Sequence, residues 1–370
     1  MKPKVDIRIS GGGSSDPAKS IGKQALDRFL SLTLTDVRGY ETDTLSISFD
    51  WRAPYPTLPK RKGVVELWLG YEGAADVTVT YLPMTKMGTF EINDLSFNGP
   101  PWTATLECSA VKFIGESKQQ RNIIYEDTTL DKVVEAIAKR IDCTPKVDPS
   151  FKKIKIPYLP QSNVSDLAFL NMLAATYNAN PKMGSGGSDL MSSAGSGGRR
   201  TLYFLPKNAK RPVDITITPD MIEPGSFDYN DTVRGLYGSV VASAYSFDTG
   251  AMSEVEVPTG QVDADGKKLT TKMSLSSFFE AADKANEAAS SKVANLGQDS
   301  KRASFKMGGN PLVFSDKRLR LAGDFPPDIH KEWVISQAVH TFTKKGGYTT
   351  AVHLSLPLPV SNPATQNQGS

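Results

Sequence analysis

Two of the three histidines lie in one segment near the C-terminus, and paired histidines can bind a metal ion. The segment, residues 332–359, reads EWVISQAVHTFTKKGGYTTAVHLSLPLP and has the alternation of a β-hairpin. If residues 344–347 form the loop, His340 lies opposite Ala351 and His353 opposite Ala338. This pairing predicts both imidazoles on one sheet face, roughly 7–8 Å apart, which makes His340 and His353 the candidates for a metal site.

The surroundings of this histidine pair argue against a metal. A zinc site needs three or four ligands, and the same strand faces otherwise offer no Asp, Glu or Cys. A shift of one residue in the pairing would also place the two side chains on opposite faces. We therefore interpret the segment as a hairpin whose histidines satisfy hydrogen bonds, and we predict neither a metal nor a cofactor.

No other motif predicts catalysis. The glycine-rich stretch before Lys19 and Ser20 resembles a phosphate-binding loop, but Ala18 stands where that loop needs glycine, and Pro17 removes a backbone N–H. The chain has no Gly-x-Ser-x-Gly motif and no cysteine close in sequence to a histidine. Asp324 and Asp328 flank prolines and are typical of a solvated turn. The sequence therefore predicts that the protein is not an enzyme.

The composition is that of a folded protein with a sizeable core. The chain has 370 residues, 39% of them hydrophobic, and its net charge of +3 gives no basic stripe for nucleic acid. The two cysteines, Cys108 and Cys143, match no metal-ligand spacing, and Cys108 is predicted to be a buried thiol. No window approaches the length of an apolar membrane span, so no membrane partner is expected.

The elements that must position these residues fall into three regions. Residues 1–115 contain five or six runs of period-2 alternation, which predict a small antiparallel barrel or sandwich. Residues 116–230 switch to helical spacing and give a small α+β middle region, with a flexible Gly/Ser-rich loop at 184–198. Residues 231–360 return to strands around an inserted alanine-rich helix at 277–296, and residues 361–370 form a flexible tail.

Five stretches in this order resemble the phage late control protein D family, the central baseplate hub proteins of contractile tails. They are LTLTDVRGYETDTLSISFD, KRKGVVELWLGYEG with MGTFEINDLSFNGPPWTATLECSAVKF, EDTTLDKVVEAIAKRI, SNVSDLAFLNMLAATYNA and LRLAGDFPPDIHKEWVISQAVHTFTKKGGYTTAVHLSLPLP. The resemblance runs from about Val5 to Pro359. Its structural signature, without a catalytic role, is Asp166, Phe169, Leu170, Trp333, His340, Gly347, Tyr348 and Thr349.

The resemblance implies a mainly β, α+β protein with two tail-tube-like antiparallel β-barrel domains around the middle region. It implies a homotrimer whose six barrels continue the hexameric tail tube and hold the trimeric central spike. Tape-measure and baseplate wedge proteins are further expected contacts, and DNA is a transient cargo of the lumen. The protein is expected in the tail baseplate of the virion, after assembly in the cytoplasm of the bacterial host.

Two alternative functions stay open at this point. The family is related to the base of type VI secretion spikes, but the tail from Ser361 to Ser370 is too short for a β-helical needle. The helices around residues 128–178 could also belong to an enzyme acting on cell-wall glycan. Their apolar stripes are explained more simply as core.

Overall fold

The computed structural model describes most of the chain. The described residues are 2–10, 27–39, 42–55, 63–72, 84–110, 119–184, 200–207, 213–231, 237–245, 250–261, 266–279, 282–299 and 301–357. The loop before Lys19, residues 185–198 of the Gly/Ser-rich loop and the predicted tail 361–370 lie outside them. None of the described helices has the length and hydrophobicity to span a bilayer.

Strands dominate the described part of the chain. The strands are β1 (Lys2–Ser10), β2 (Phe29–Val37), β3 (Thr44–Asp50), β4 (Val64–Glu72), β5 (Thr85–Asn98), β6 (Thr103–Ser109), β7 (Gln120–Thr129), β8 (Cys143–Val147), β9 (Lys155–Ser165), β10 (Ala179–Gly184), β11 (Arg200–Pro206), β12 (Val213–Ile217), β13 (Asp228–Asp231), β14 (Ser239–Tyr245), β15 (Met252–Pro258), β16 (Lys272–Phe279), β17 (Lys301–Gly308), β18 (Arg318–Leu321), β19 (Glu332–Thr343) and β20 (Gly347–Ser355). The helices are α1 (Leu130–Arg140), α2 (Asp166–Thr176) and α3 (Ala282–Asp299).

One 12-stranded sheet contains strands from both ends of the chain. Its order is β1-β4-β5-β6-β3-β2-β19-β20-β17-β13, with β18 also paired to β19 and β12 paired to β18. Leu32 and Leu34 of β2 alternate with partly exposed Ser and Thr, so one face of the sheet is buried, as the period-2 pattern predicts. The buried face covers two hydrophobic cores, one around Ile47 and Leu67, the other around Trp333.

The middle region has its own core between helices and a small sheet. Strands β10, β11 and β8 form a three-stranded sheet, and β7 pairs with β9. The predicted apolar stripe of α1 is buried there together with Phe169 and Leu170 of α2. A further three-stranded sheet, β15-β14-β16, packs its alanine-rich core against Ala285 and Ala289 of α3.

The prediction of a mainly β, α+β fold is confirmed, with two differences in detail. Closure into two separate barrels is not observed among the described residues, because β2 pairs with β19 and joins both sets of strands in one sheet. The alanine-rich helix predicted at 277–296 runs from 282 to 299. Residues 278 and 279 instead extend β16, where they pair with Ser243 and Ala244 of β14.

Candidate functional site

The hairpin of β19 and β20 separates the two histidines. Phe342 lies opposite Tyr348 and His340 opposite Thr350, one residue away from the predicted pairing. His353 lies opposite Gln337, after a bulge between Ile335 and Gln337. Since side chains alternate between faces, His340 points into the core and His353 lies on the exposed face. The predicted shared face is therefore wrong, and the described residues include no group of three potential metal ligands.

His340 is a neutral core histidine with defined hydrogen bonds. The carbonyl oxygen of Val313 lies 3.0 Å from Nε2, so Nε2 carries the proton and donates it. Nδ1 then accepts a hydrogen bond from the hydroxyl group of Tyr348 at 2.9 Å, and the hydroxyl oxygen of Thr350 lies 3.2 Å from Nδ1. Burial, opposed by the charge of Asp36 and the bond to Val313, lowers the pKa of His340 to about 4. The imidazole therefore ties β19 and β20 to the segment before β18.

This buried imidazole predicts an acid-dependent loss of stability. The pKa of His340 in the folded state lies below the ordinary value near 6.5. Between pH 6.5 and pH 4 the native state therefore binds fewer protons than the unfolded state, and the stability that neutral His340 contributes is lost as the pH falls. Replacing His340 with glutamine should remove about 2–3 kcal/mol of the pH-dependent change in unfolding free energy between pH 7 and pH 4.5. Urea unfolding at the two pH values measures it. His353→Gln is the matched control, and an equal effect of both variants would contradict the assignment.

The remaining signature residues of the hairpin and of β19 have structural surroundings. Trp333 is fully buried and donates from Nε1 to the carbonyl of Ile329 at 3.1 Å. Gly347 has φ of +75°, a backbone conformation that favours glycine. Tyr348 packs into the hydrophobic core around Ile47 and Leu67. Thr349 is partly exposed on the opposite face of the sheet. Their role as a signature stays a prediction.

Asp166 forms a buried ion cluster at the start of α2. Arg140 holds its two carboxylate oxygens at 2.7 and 3.1 Å, Gln161 donates to it at 3.0 Å, and Arg121 lies 3.2 Å away. Burial raises the pKa of Asp166, but the hydrogen bonds from Arg140 and Gln161 outweigh burial and lower it. The carboxylate also lies in the first turn of α2, where the helix dipole favours negative charge. Asp166 therefore connects α1, α2 and the paired strands β7 and β9 through its hydrogen bonds and ion pairs.

A second ion cluster joins the middle region to both parts of the large sheet. Lys182 of β10 lies 2.5 Å from the carboxylate of Asp36 on β2, and both are buried. Asp36 also accepts hydrogen bonds from the backbone N–H and the hydroxyl of Ser315, each at 2.7 Å. Asp316 accepts from Arg38 at 2.9 Å and from Asn180 at 3.0 Å. The cluster thus connects elements that are up to 279 positions apart in sequence.

The charges in this second cluster are balanced by their neighbours. Burial raises the pKa of Asp36, but the charge of Lys182 and the hydrogen bonds from Lys182 and Ser315 together outweigh burial and lower it. Burial lowers the pKa of Lys182, but the nearby carboxylates, chiefly Asp36, together outweigh burial and raise it. Burial and the charge of Asp36 raise the pKa of Asp43 well above its usual range, which favours a protonated carboxyl beside Asp36. The sequence alone could have indicated a buried charge here, because Asp36 takes the next core-facing position after Leu32 and Leu34.

These clusters and the sheet define a class of protein. Buried ion pairs connect separate parts of one chain. This is the arrangement of a β-rich structural protein, in which polar clusters fix how the parts fit together.

Comparisons with known proteins give the family. The family model for the phage tail baseplate hub (GPD) matches residues 101–346. The "Probable baseplate hub protein" of Escherichia phage 186 is 27% identical, over 95% of this chain and 96% of its own length. The protein of the same description from Escherichia phage P2 is 32% identical, over 58% of this chain and 51% of its own length. A 43 kDa tail protein of prophage MuSo2 from Shewanella oneidensis shares the fold, with a TM-score of 0.66, 10% identity and coverage of 97% of this chain and 100% of that one.

The chain belongs to the phage tail baseplate hub family, since the family model matches more than half of it. It is a structural hub protein of a contractile phage tail and not an enzyme. Its place is the baseplate of the virion tail. The resemblance stated from the five sequence stretches is confirmed.

Proposed function

We propose that this hub assembles as a homotrimer that joins the hexameric tail tube to the trimeric central spike and surrounds the DNA channel. The observation that carries the proposal is the large sheet, which covers two separate cores within one chain. Two such halves per chain give six in a trimer. A ring of six halves matches a six-fold tube on one side and a three-fold spike on the other.

The edges of the large sheet support contacts between copies. At one end of the sheet, β1 pairs with β4 alone. At the other end of the sheet, β13 pairs with β17 alone. Neither outer edge has a strand partner among the described residues, and such edges are usually covered or paired. We propose that these two edges meet neighbouring copies.

The native mass tests the trimer. Light scattering or mass photometry of the purified full-length protein should show a species of three chains, about 120 kDa for chains of 40.1 kDa. Addition of the spike protein encoded by the same phage should give a larger complex with one spike trimer per hub trimer. A single-chain species that ignores the spike protein would contradict the proposed arrangement.

The domain division extends this proposal. Residues 1–115 and 231–360 would supply the two tube-like units, and residues 116–230, apart from β12 and β13, would supply the part outside the ring. The pairing of β12 and β13 with β18 and β17 brings the chain back to the large sheet before residue 231. Tape-measure and baseplate wedge proteins would contact the hub at its tube-facing end and its outer side, and DNA would pass through without staying bound.

A further inference from the structure

The buried pair of Lys182 and Asp36 contains the two halves of an amide bond. Lys182 supplies an amine and Asp36 a carboxyl group, and Nζ lies 2.5 Å from Oδ1 of the carboxylate. Because a carboxyl C–O bond is about 1.2 Å long, Nζ lies within about 3.7 Å of the carboxyl carbon. Atoms that react with each other are typically held about 3–3.5 Å apart. The two groups are therefore close to the separation at which an amine attacks a carboxyl carbon.

Burial makes this pair chemically different from an ion pair on the surface. The side chains of Lys182 and Asp36 are only 3% and 5% exposed. A buried environment penalises charge, so it narrows the difference in free energy between the ion pair and the neutral pair of amine and carboxylic acid. The neutral pair is reached when one proton moves from Nζ to the carboxylate of Asp36, and this transfer needs no outside base.

A third carboxyl group adjoins the pair and can act as an acid. Asp43 is buried and hydrogen-bonded to Asp36, and its Oδ1 accepts from the backbone N–H of Val37 at 3.2 Å. Two carboxyl groups can share a hydrogen bond only when one of them carries the proton. Asp43 is therefore a carboxylic acid that donates to the carboxyl group facing Lys182, which is the position of a general acid.

Ser315 supplies two further donors to the same carboxyl group. Its backbone N–H donates to Oδ2 of Asp36 and its hydroxyl to Oδ1, each at 2.7 Å. Fixed donors of this kind stabilise the negative charge that develops on oxygen when a nucleophile attacks the carbon. The other charged groups near Lys182 are Asp316 and its partner Arg38, whose atoms lie 2.9 Å apart.

We propose that Lys182 and Asp36 condense into an intramolecular isopeptide bond, with Asp43 as the catalytic acid. After the proton transfer within the pair, the lone pair of Nζ attacks the carboxyl carbon of Asp36 and forms the N–C bond. Asp43 gives its proton to the departing hydroxyl group, the C–O bond breaks, and water leaves. The attacking nitrogen then returns a proton to Asp43. No atom is oxidised or reduced, and no co-reactant is needed.

The bond would form once in each chain, so it is a maturation step and not a turnover reaction. Condensation of free amines and acids in water is unfavourable, but groups held in contact react with effective molarities of about 10⁵–10⁸ M. The product links β2 to β10 across 146 positions of the chain. It fastens the middle region to the large sheet, whose hydrophobic cores are separate clusters in the described part of the chain. Before it reacts, the pair is the ion pair described above.

The mass of the intact chain tests the bond. Purified full-length protein, measured in denaturant, should be about 18 Da lighter than its sequence, because one water molecule has left. Proteolysis should release one branched peptide that contains both Asp36 and Lys182. The sequence Asp265–Gly266 can also lose water, as a succinimide, and the branched peptide distinguishes the two sources. The measurement needs neither the spike protein nor a trimer, so its result is independent of the proposed ring.

Two substitutions separate the reaction from simple proximity. Asp43→Asn keeps the shape and the hydrogen bond to Asp36 but has no acidic proton, so freshly purified variant should contain at least about tenfold less branched peptide. Lys182→Arg keeps the charge and should give none. Lys272→Arg, in the exposed pair with Glu256, is the control and should leave the yield of branched peptide as in the wild type. Circular dichroism confirms that each variant is folded.

Each outcome decides part of the proposal. Wild-type protein of full sequence mass, without the branched peptide, would overturn the isopeptide bond and leave a plain buried ion pair. An equal yield of branched peptide from Asp43→Asn would overturn the role of Asp43 as the acid. If that variant does not fold, Asp43→Ser replaces it with the same expectation, and the wild-type mass still decides whether the bond forms.

Discussion

Replacing Lys182 with methionine should destabilise the folded protein by about 3–5 kcal/mol, the cost of leaving a buried carboxylate without its partner. Lys182 and Asp36 are both buried, and their charged atoms lie 2.5 Å apart. Methionine fills a similar volume, so the loss is electrostatic and not a cavity. Urea unfolding of the full-length protein, followed by circular dichroism at fixed protein concentration, measures the change in unfolding free energy.

A matched surface pair serves as the control for Lys182. Lys272 and Glu256 are also 2.5 Å apart, but their side chains are 58% and 44% exposed. Lys272→Met should therefore destabilise the protein far less than Lys182→Met, because solvent screens an exposed pair. Adding Asp36→Asn to Lys182→Met should restore part of the stability, because the unpaired charge is then removed. Equal effects of the two lysine substitutions would show that the second ion cluster does not hold the middle region to the large sheet.

Replacing Gly309 with alanine should cost about 3 kcal/mol, because the added methyl group meets a side chain that cannot move away. A Cβ atom at position 309 would lie 2.1 Å from the ring of Tyr348. Tyr348 is held by its hydrogen bond to His340 and by ring contacts with Phe342 and Tyr71. The backbone is fixed as well, since the N–H of Gly309 donates to the Tyr348 carbonyl at 2.9 Å and its own carbonyl accepts from Tyr71 at 2.8 Å.

The neighbouring glycine provides the control for Gly309. A Cβ atom at Gly308 would meet nothing within 4 Å, so Gly308→Ala should change the unfolding free energy by less than about 0.5 kcal/mol. Thermal unfolding of the two variants, one position apart in the chain, compares them directly. If both alanines were tolerated equally, the close packing of the β17 end against the hairpin would be disproved.

Local patterns were sufficient where one element alone decides which residues are buried. The alternation of Leu32 and Leu34 with Thr33 and Thr35 predicted strand β2, and its buried face is as expected. The spacing of Leu130, Val133, Val134 and Ile137 predicted helix α1 in the same way, and all four side chains are buried. The order of the five resembling stretches also sufficed for the family, since order along the chain is a property of the sequence.

The pairing of strands required contacts that no local pattern records. The predicted register of the β19–β20 hairpin was wrong by one residue because either choice of loop satisfies the alternation of the strands. The bulge between Ile335 and Gln337 then changes which residues of β19 face the core. The one-residue difference in the register of the hairpin is enough by itself to place His340 and His353 on opposite faces of the sheet, and it removed the candidate metal pair.

The sequence by itself determined a mainly β chain with a helical middle region, a near-neutral charge and a hub-like order of motifs. Only the tertiary structure decided that both ends of the chain share one sheet and that Asp36 meets Lys182 across 146 positions. The physical reason is the range of the forces involved. Hydrophobic periodicity acts within one element, whereas ion pairs and strand pairing depend on which distant elements are brought within hydrogen-bonding distance.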